Sequence, residues 1–178
     1  MFTQAGLFLL DAVIGFFTFA LLLRFYMQAF RVSLRNQVGT FVVQLTNGLV
    51  MPLRKVLPGL FGLDLASLLL AYVLQALLFF AVLSLRGGLS LDAANLLGLI
   101  LWGALLATLR ISIYLLIGAL VLQAVLSWVS PYSPLATPLA QLTRPFTDPV
   151  RRIVPPIAGI DLSLLIVLLL AQALLFFL

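Results

Sequence analysis

Apolar positions run through this chain in four long stretches, at roughly residues 6–30, 63–85, 95–129 and 160–178, with short polar intervals between them. At about 1.5 Å of helical rise per residue, a run of about 20 such residues crosses a hydrocarbon core of roughly 30 Å. The third stretch is longer than one untilted crossing needs, since 35 residues make a helix of about 52 Å. Splitting it would require a turn, and the segment GALLATLRISIYLL contains no proline, asparagine or turn dipeptide. The pattern therefore predicts one span over about 110–129, with 92–109 lying along the interface or packed as a tilted extension; a fifth span is the alternative.

The polar intervals are a repeated phrase. Residues 54–69 read RKVLPGLFGLDLASLL and residues 151–166 read RRIVPPIAGIDLSLLI, at a constant offset of 97 positions, as from Arg54 to Arg151. The match extends back to Gln44-Leu45-Thr46 against Gln141-Leu142-Thr143, and forward to Gln75-Ala76-Leu77-Leu78-Phe79-Phe80 against Gln172-Ala173-Leu174-Leu175-Phe176-Phe177. Such internal similarity is the signature of a duplicated structural unit. The expected architecture is an all-α membrane protein with four, alternatively five, transmembrane helices in two tandem parallel repeats. The first repeat is 1–90, with spans at about 6–30 and 63–85; the second is 91–178, with spans at about 110–129 and 160–178.

Each repeat also carries an amphipathic segment, expected to lie in the headgroup plane. Phe41, Leu45, Leu49 and Leu53 recur at helical spacing in the first, and Leu135, Leu139, Leu142, Phe146 and Val150 in the second. Pro145 and Pro149 are expected to break the second copy into shorter pieces. After each segment comes a re-entry corner. The basic residues Arg54, Lys55, Arg144, Arg151 and Arg152 are read as headgroup ligands, and Gly62 and Gly159 as the turns back into the bilayer. Asp64 and Asp161 are read as caps on the descending helices, with binding of a cation or partner as the alternative.

Composition sharpens this picture. Hydrophobic residues are 64% of the chain and charged residues 8%, against roughly 25% charged in soluble domains, so the surroundings must be lipid. The opening run has no basic start and carries Asp11, so it is expected to be a retained span and not a cleaved signal. A net charge of +5, spread along spans and their edges, points to anionic phospholipids as partners, and not directly to nucleic acid. Basic residues cluster after the first and third spans, which places the long loops in the cytoplasm and both termini outside if there are four spans.

There is no histidine, cysteine or glutamate. That removes the usual general base, the thiolate and the ordinary zinc or haem ligand sets, so neither enzyme chemistry, metal nor cofactor is expected.

Charges inside spans are costly and carry a functional hypothesis by default. Asp11 and Arg110 lie about 30 Å and 29 Å from the cytoplasmic ends of their spans, and are expected to form an ion pair near the outer interface. Arg24, within about 10 Å of the cytoplasmic edge, is expected to extend to water there. Gln75 and Gln172 occupy equivalent places and are expected to bond across the two repeats.

The two copies of basic-basic-x-x-Pro followed by Gly-x-Asp-Leu, with Gln-Leu-Thr before them and apolar runs around them, resemble the YggT (YlmG) family of small integral membrane proteins. Family copies often read Asp-Leu-Ser-Pro where this chain has Asp64-Leu65-Ala66-Ser67 and Asp161-Leu162-Ser163-Leu164. The resemblance implies a multi-pass protein of the bacterial cytoplasmic (inner) membrane, with associations to osmotic or ion stress, cell-division gene neighbourhoods and, in plastids, cytochrome haem attachment and nucleoid organisation. It carries no catalytic residues. The reading that follows is a non-enzymatic scaffold acting through lipid-anchored loops, with a membrane-protein partner or a homo-oligomer. An oligomeric channel or transport-related protein in osmotic or ion homeostasis is the alternative.

Overall fold

The computed structural model describes residues 2–55, 63–85, 92–154 and 161–178. These form six α-helices in a duplicated order: α1 Phe2–Ala29, α2 Gln37–Arg54 and α3 Leu65–Leu85, then α4 Ala93–Val129, α5 Ala136–Ile153 and α6 Leu162–Phe177. Three of them, α1, α3 and α4, are long and apolar enough to cross a membrane. α6 is equally apolar over its 16 residues, which rise about 24 Å. The chain is an all-α membrane protein.

α4 is one unbroken helix of 37 residues, so 92–109 extends the same rod and Arg110 marks no turn. With no proline to remove a backbone bond, each carbonyl in the run finds its own amide four residues on. The five-span alternative is not adopted.

α1 packs along α3, and α4 along α6, while α4 also touches α1, α3 and α5. In hydrocarbon no hydrophobic force drives helices together, so close van der Waals fit has to do so. Small residues supply it: Ala66 and Ala71 of α3, Ala104 and Ala119 of α4, and Ala171 of α6 are all buried. Tyr72 adds a polar tie, donating from its hydroxyl to the Leu101 carbonyl across α3 and α4 (3.0 Å). A central cluster of Leu21, Leu22 and Met27 of α1 with Val50 of α2, Leu115 of α4 and Leu142 of α5 joins the two repeats.

α1 ends where Arg31 takes a left-handed φ of 56° and the Val32 amide reaches back to the Met27 carbonyl (2.7 Å), closing the last turn. Phe30 at this end meets Phe146 of α5 edge to face, 5.8 Å between centroids. α5 therefore lies at the end of the bundle from which the chain enters α2. Both amphipathic helices share one end, as a parallel duplication requires.

Two details of those helices differ from expectation. α5 runs continuously through Pro145 and Pro149, and α2 through Pro52. Proline deletes one helical bond, but at an exposed surface water takes the freed carbonyl, and Pro145, Pro149 and Pro52 are all exposed. In α2 the residues facing the bundle are Gly39, Val42, Thr46 and Val50, one position round from the expected stripe, while Phe41 and Leu49 face outward. A helix lying against both bundle and lipid needs two non-charged faces, and the bulkier one goes to lipid.

Candidate functional site

The first corner is built from three helices. Asp64 stands just before α3 and is 1% exposed; Arg24 of α1 is 3% exposed. The Arg24 Nε donates to Asp64 Oδ2 at 3.0 Å, and its Nη1 donates to Thr46 Oγ1 (2.8 Å) and Asn47 Oδ1 (3.0 Å) of α2. Arg54, at the end of α2, grips the same carboxylate with two bonds, Nη2 to Oδ2 at 2.6 Å and Nε to Oδ1 at 3.2 Å. Ser67 completes the shell, donating its hydroxyl to Asp64 Oδ2 (2.8 Å) and its amide to Oδ1 (3.4 Å). Burial pushes the Asp64 carboxyl up, but the bonds from Arg54 and Ser67 and the two guanidinium charges outweigh it, holding the group below the ordinary carboxylate range.

The second corner repeats half of this. Arg151 of α5 donates through Nε to Asp161 Oδ2 (2.8 Å) and again through Nη2, ten positions apart as are Arg54 and Asp64. Asp161 caps α6, accepting the Ser163 amide at 3.0 Å and its hydroxyl. Burial raises this carboxyl too, and Arg151 and Ser163 again bring it below its ordinary value. No second arginine arrives from α4. Between α1 and α4 the repeats align at an offset of 95, Gln28-Ala29 against Gln123-Ala124, which puts Ala119 where Arg24 stands, and Thr143, the counterpart of Thr46, bonds instead to Gln123. Asp161 keeps 25% of its side-chain surface in the open, against 1% for Asp64.

The aspartates are thus caps, as expected, and also anchors that pin each amphipathic helix to the span after it. Arg54 and Arg151, expected to face headgroups, are each engaged by one of those carboxylates while 41% and 42% of their side-chain surface stays exposed. Arg144 bridges Asp148 one turn on (2.9 Å). Lys55 and Arg152 are exposed and form no ion pair among the described residues. Gly62 and Gly159 lie outside the described residues.

Arg24 does not extend to water; the buried acid and the α2 hydroxyl hold it inside. Its presence in an apolar run was the available signal, but its partners lie 22 to 40 positions away in sequence. Asp11 and Arg110 do not pair. The buried stripe of α4 includes Ala104, Thr108, Leu115 and Ala119, and at 100° per residue Arg110 points about 150° away from it. Gln75 and Gln172 do not meet either: Gln75 is buried and donates to Thr18 Oγ1 of α1 (3.0 Å), whereas Gln172 is exposed. A Thr18→Val and Gln75→Leu double-mutant cycle is expected to give a coupling of about 0.6 to 1.7 kcal/mol in unfolding measurements. Full additivity would remove that bond from the stabilising set.

The match to known proteins follows the duplication. The family model described as CCB3/YggT covers residues 3–85 and again 102–178, one match for each repeat. The chain belongs to the CCB3/YggT family. It is 39% identical over 168 residues to the uncharacterized protein YggT of Escherichia coli K12, covering 92% of this chain and 83% of that one. An uncharacterized protein in the proC 3' region of Vibrio alginolyticus is 35% identical over 162 residues, 89% of this chain and 85% of the relative. A third, uncharacterized, from Pseudomonas aeruginosa is 33% identical over 162 residues, with 89% and 80% covered. No solved structure matches. In this CCB3/YggT chain the duplicated Arg–Asp bridge is the feature that both repeats build alike.

Proposed function

We propose that this protein is a non-enzymatic scaffold of the bacterial cytoplasmic membrane, which gathers anionic phospholipid, and through it a membrane partner or further copies, beneath two clamped amphipathic helices. The duplicated Arg–Asp bridge carries this reading. It fixes α2 and α5 against the following spans at one end of the bundle, and so holds Lys55, Arg152 and Arg144 outward at a constant height. Basic side chains at that height gain about 1 kcal/mol each from an anionic surface. Below α5 an apolar groove of about 720 Å³, lined by Leu116, Leu142, Phe146, Val167 and Leu174 among others, offers space for acyl chains next to those charges. With the basic end in the cytoplasm, the N-terminus of α1 faces outside.

The test is lipid selection. Reconstituted in vesicles of phosphatidylglycerol and phosphatidylcholine, the wild-type protein should hold phosphatidylglycerol in its boundary layer in excess of the bulk. Lys55→Gln with Arg152→Gln should lower that preference by about fivefold per charge removed. Equal boundary and bulk composition for the wild type sinks the proposal. A transport-related oligomer is the second reading, supported by the intramembrane carboxylate of Asp11. It needs several copies, because Leu21 and Leu22 fill the centre of one copy, and it stands on selective liposome flux.

A further inference from the structure

At the end of the bundle remote from α2 and α5, a cleft of about 450 Å³ opens between α1, α3 and α4. Its polar lining is Asp11, Gln4 and Gln75; Phe8, Leu78 and Phe79 form much of the rest. The size is that of a small-molecule site. Asp11 is exposed and makes no hydrogen bond or ion pair among the described residues. A carboxylate on an apolar span persists only against water or a counter-charge. Gln75 is 4% exposed; it gives its Nε2 to Thr18, and its Oε1 takes no hydrogen bond among the described residues. Here, then, are an anion and an amide acceptor in one cleft, each short of a partner.

Leu21 and Leu22, one turn on from Thr18 in α1, are both fully buried and apolar. A bare alkali ion needs oxygens all round it to replace its hydration shell, and most of this wall is hydrocarbon. An ammonium group with a short alkyl part needs less: one anion and an apolar or aromatic wall. Phe79 is held in place for that role, because its ring packs on Gly103 so closely that a Cβ there would come within 2.6 Å of it.

We propose that this cleft binds a small alkylammonium ion, its nitrogen against Asp11 and its alkyl part against Phe8, Leu78 and Phe79. The proposal does not depend on the scaffold reading, since it uses the opposite end of the bundle and none of the basic residues.

The probe is n-butylammonium chloride, followed by saturation-transfer NMR on the protein in nanodiscs. The expected result is a saturable signal on the butyl protons that weakens at least tenfold in Asp11→Asn. Phe8→Ala, at a side chain already 71% exposed, should weaken it severalfold with an unchanged melting temperature. Butanol should bind far less, and equimolar KCl should not compete. No saturable binding, equal binding to Asp11→Asn, or equal binding of butanol overturns the site, and competition by potassium overturns the ligand class. None of these outcomes alters the phosphatidylglycerol measurement.

Discussion

Asp64→Ala is expected to be the most damaging single substitution at either corner, lowering the unfolding free energy by about 3–5 kcal/mol. It strands the guanidinium of Arg24, which is 3% exposed and has only neutral oxygens of Thr46 and Asn47 left to it. Arg54, at 41% side-chain exposure, can swing to water and adds less to the loss. Asp161→Ala removes the matching acid from the second corner, but its pair is 42% and 25% exposed, and such pairs are worth about 0–1 kcal/mol. Unfolding of the purified variants should therefore separate the two corners by at least about 2 kcal/mol. If both cost the same, Arg24 contributes nothing to the asymmetry.

Combining Asp64→Ala with Arg24→Leu should recover most of the stability, because removing both charges also removes their desolvation cost. Acid gives a parallel test. Asp64 titrates below its ordinary value of 3.8 in the folded protein, so its contribution is fully present above about pH 4 and is lost as the pH falls through the lower folded value.

Gly39→Ala should be the second large effect, a loss of about 1–3 kcal/mol from overpacking. A Cβ at residue 39 would lie 2.5 Å from the Leu34 Cα and 2.6 Å from its carbonyl oxygen. That backbone cannot yield cheaply, since the turn is fixed by Asn36, whose Oδ1 accepts the Gly39 amide at 2.7 Å while its Nδ2 donates to the Ser33 carbonyl. Gly48, nine residues on in the same helix, has nothing within 4 Å of its would-be Cβ. Gly48→Ala is accordingly expected to stabilise by about 0.4–1 kcal/mol. Thermal unfolding of the two alanine variants in one detergent checks the opposite signs; a shared sign would mean that the close approach at Leu34 is not a constraint.

The four apolar runs, the two amphipathic segments between them, their order and the duplication were readable in advance, because each depends on local things: runs of apolar residues, the spacing of polar ones and the phrase that recurs at Arg54 and Arg151. The caps at Asp64 and Asp161 were readable for the same reason, since a capping side chain bonds to amides two or three residues away. Proline misled in α5, where an interface supplies the water that a buried helix would lack.

Partnerships across helices were a different matter. Matching Asp11 with Arg110 by depth, or Gln75 with Gln172 by repeat position, uses height along the bundle and ignores rotation about each helix axis. Rotation is set by which small residues let two helices touch: Ala104, Thr108 and Ala119 turn α4 so that Arg110 faces outward, and Ala66 and Ala71 turn α3 so that Gln75 reaches Thr18. Linear order thus dictated the elements and the two like corners. Packing alone chose Arg24 as the buried partner of Asp64, because a helix reads its neighbour through the angle at which their surfaces close, and one-dimensional spacing does not carry that angle.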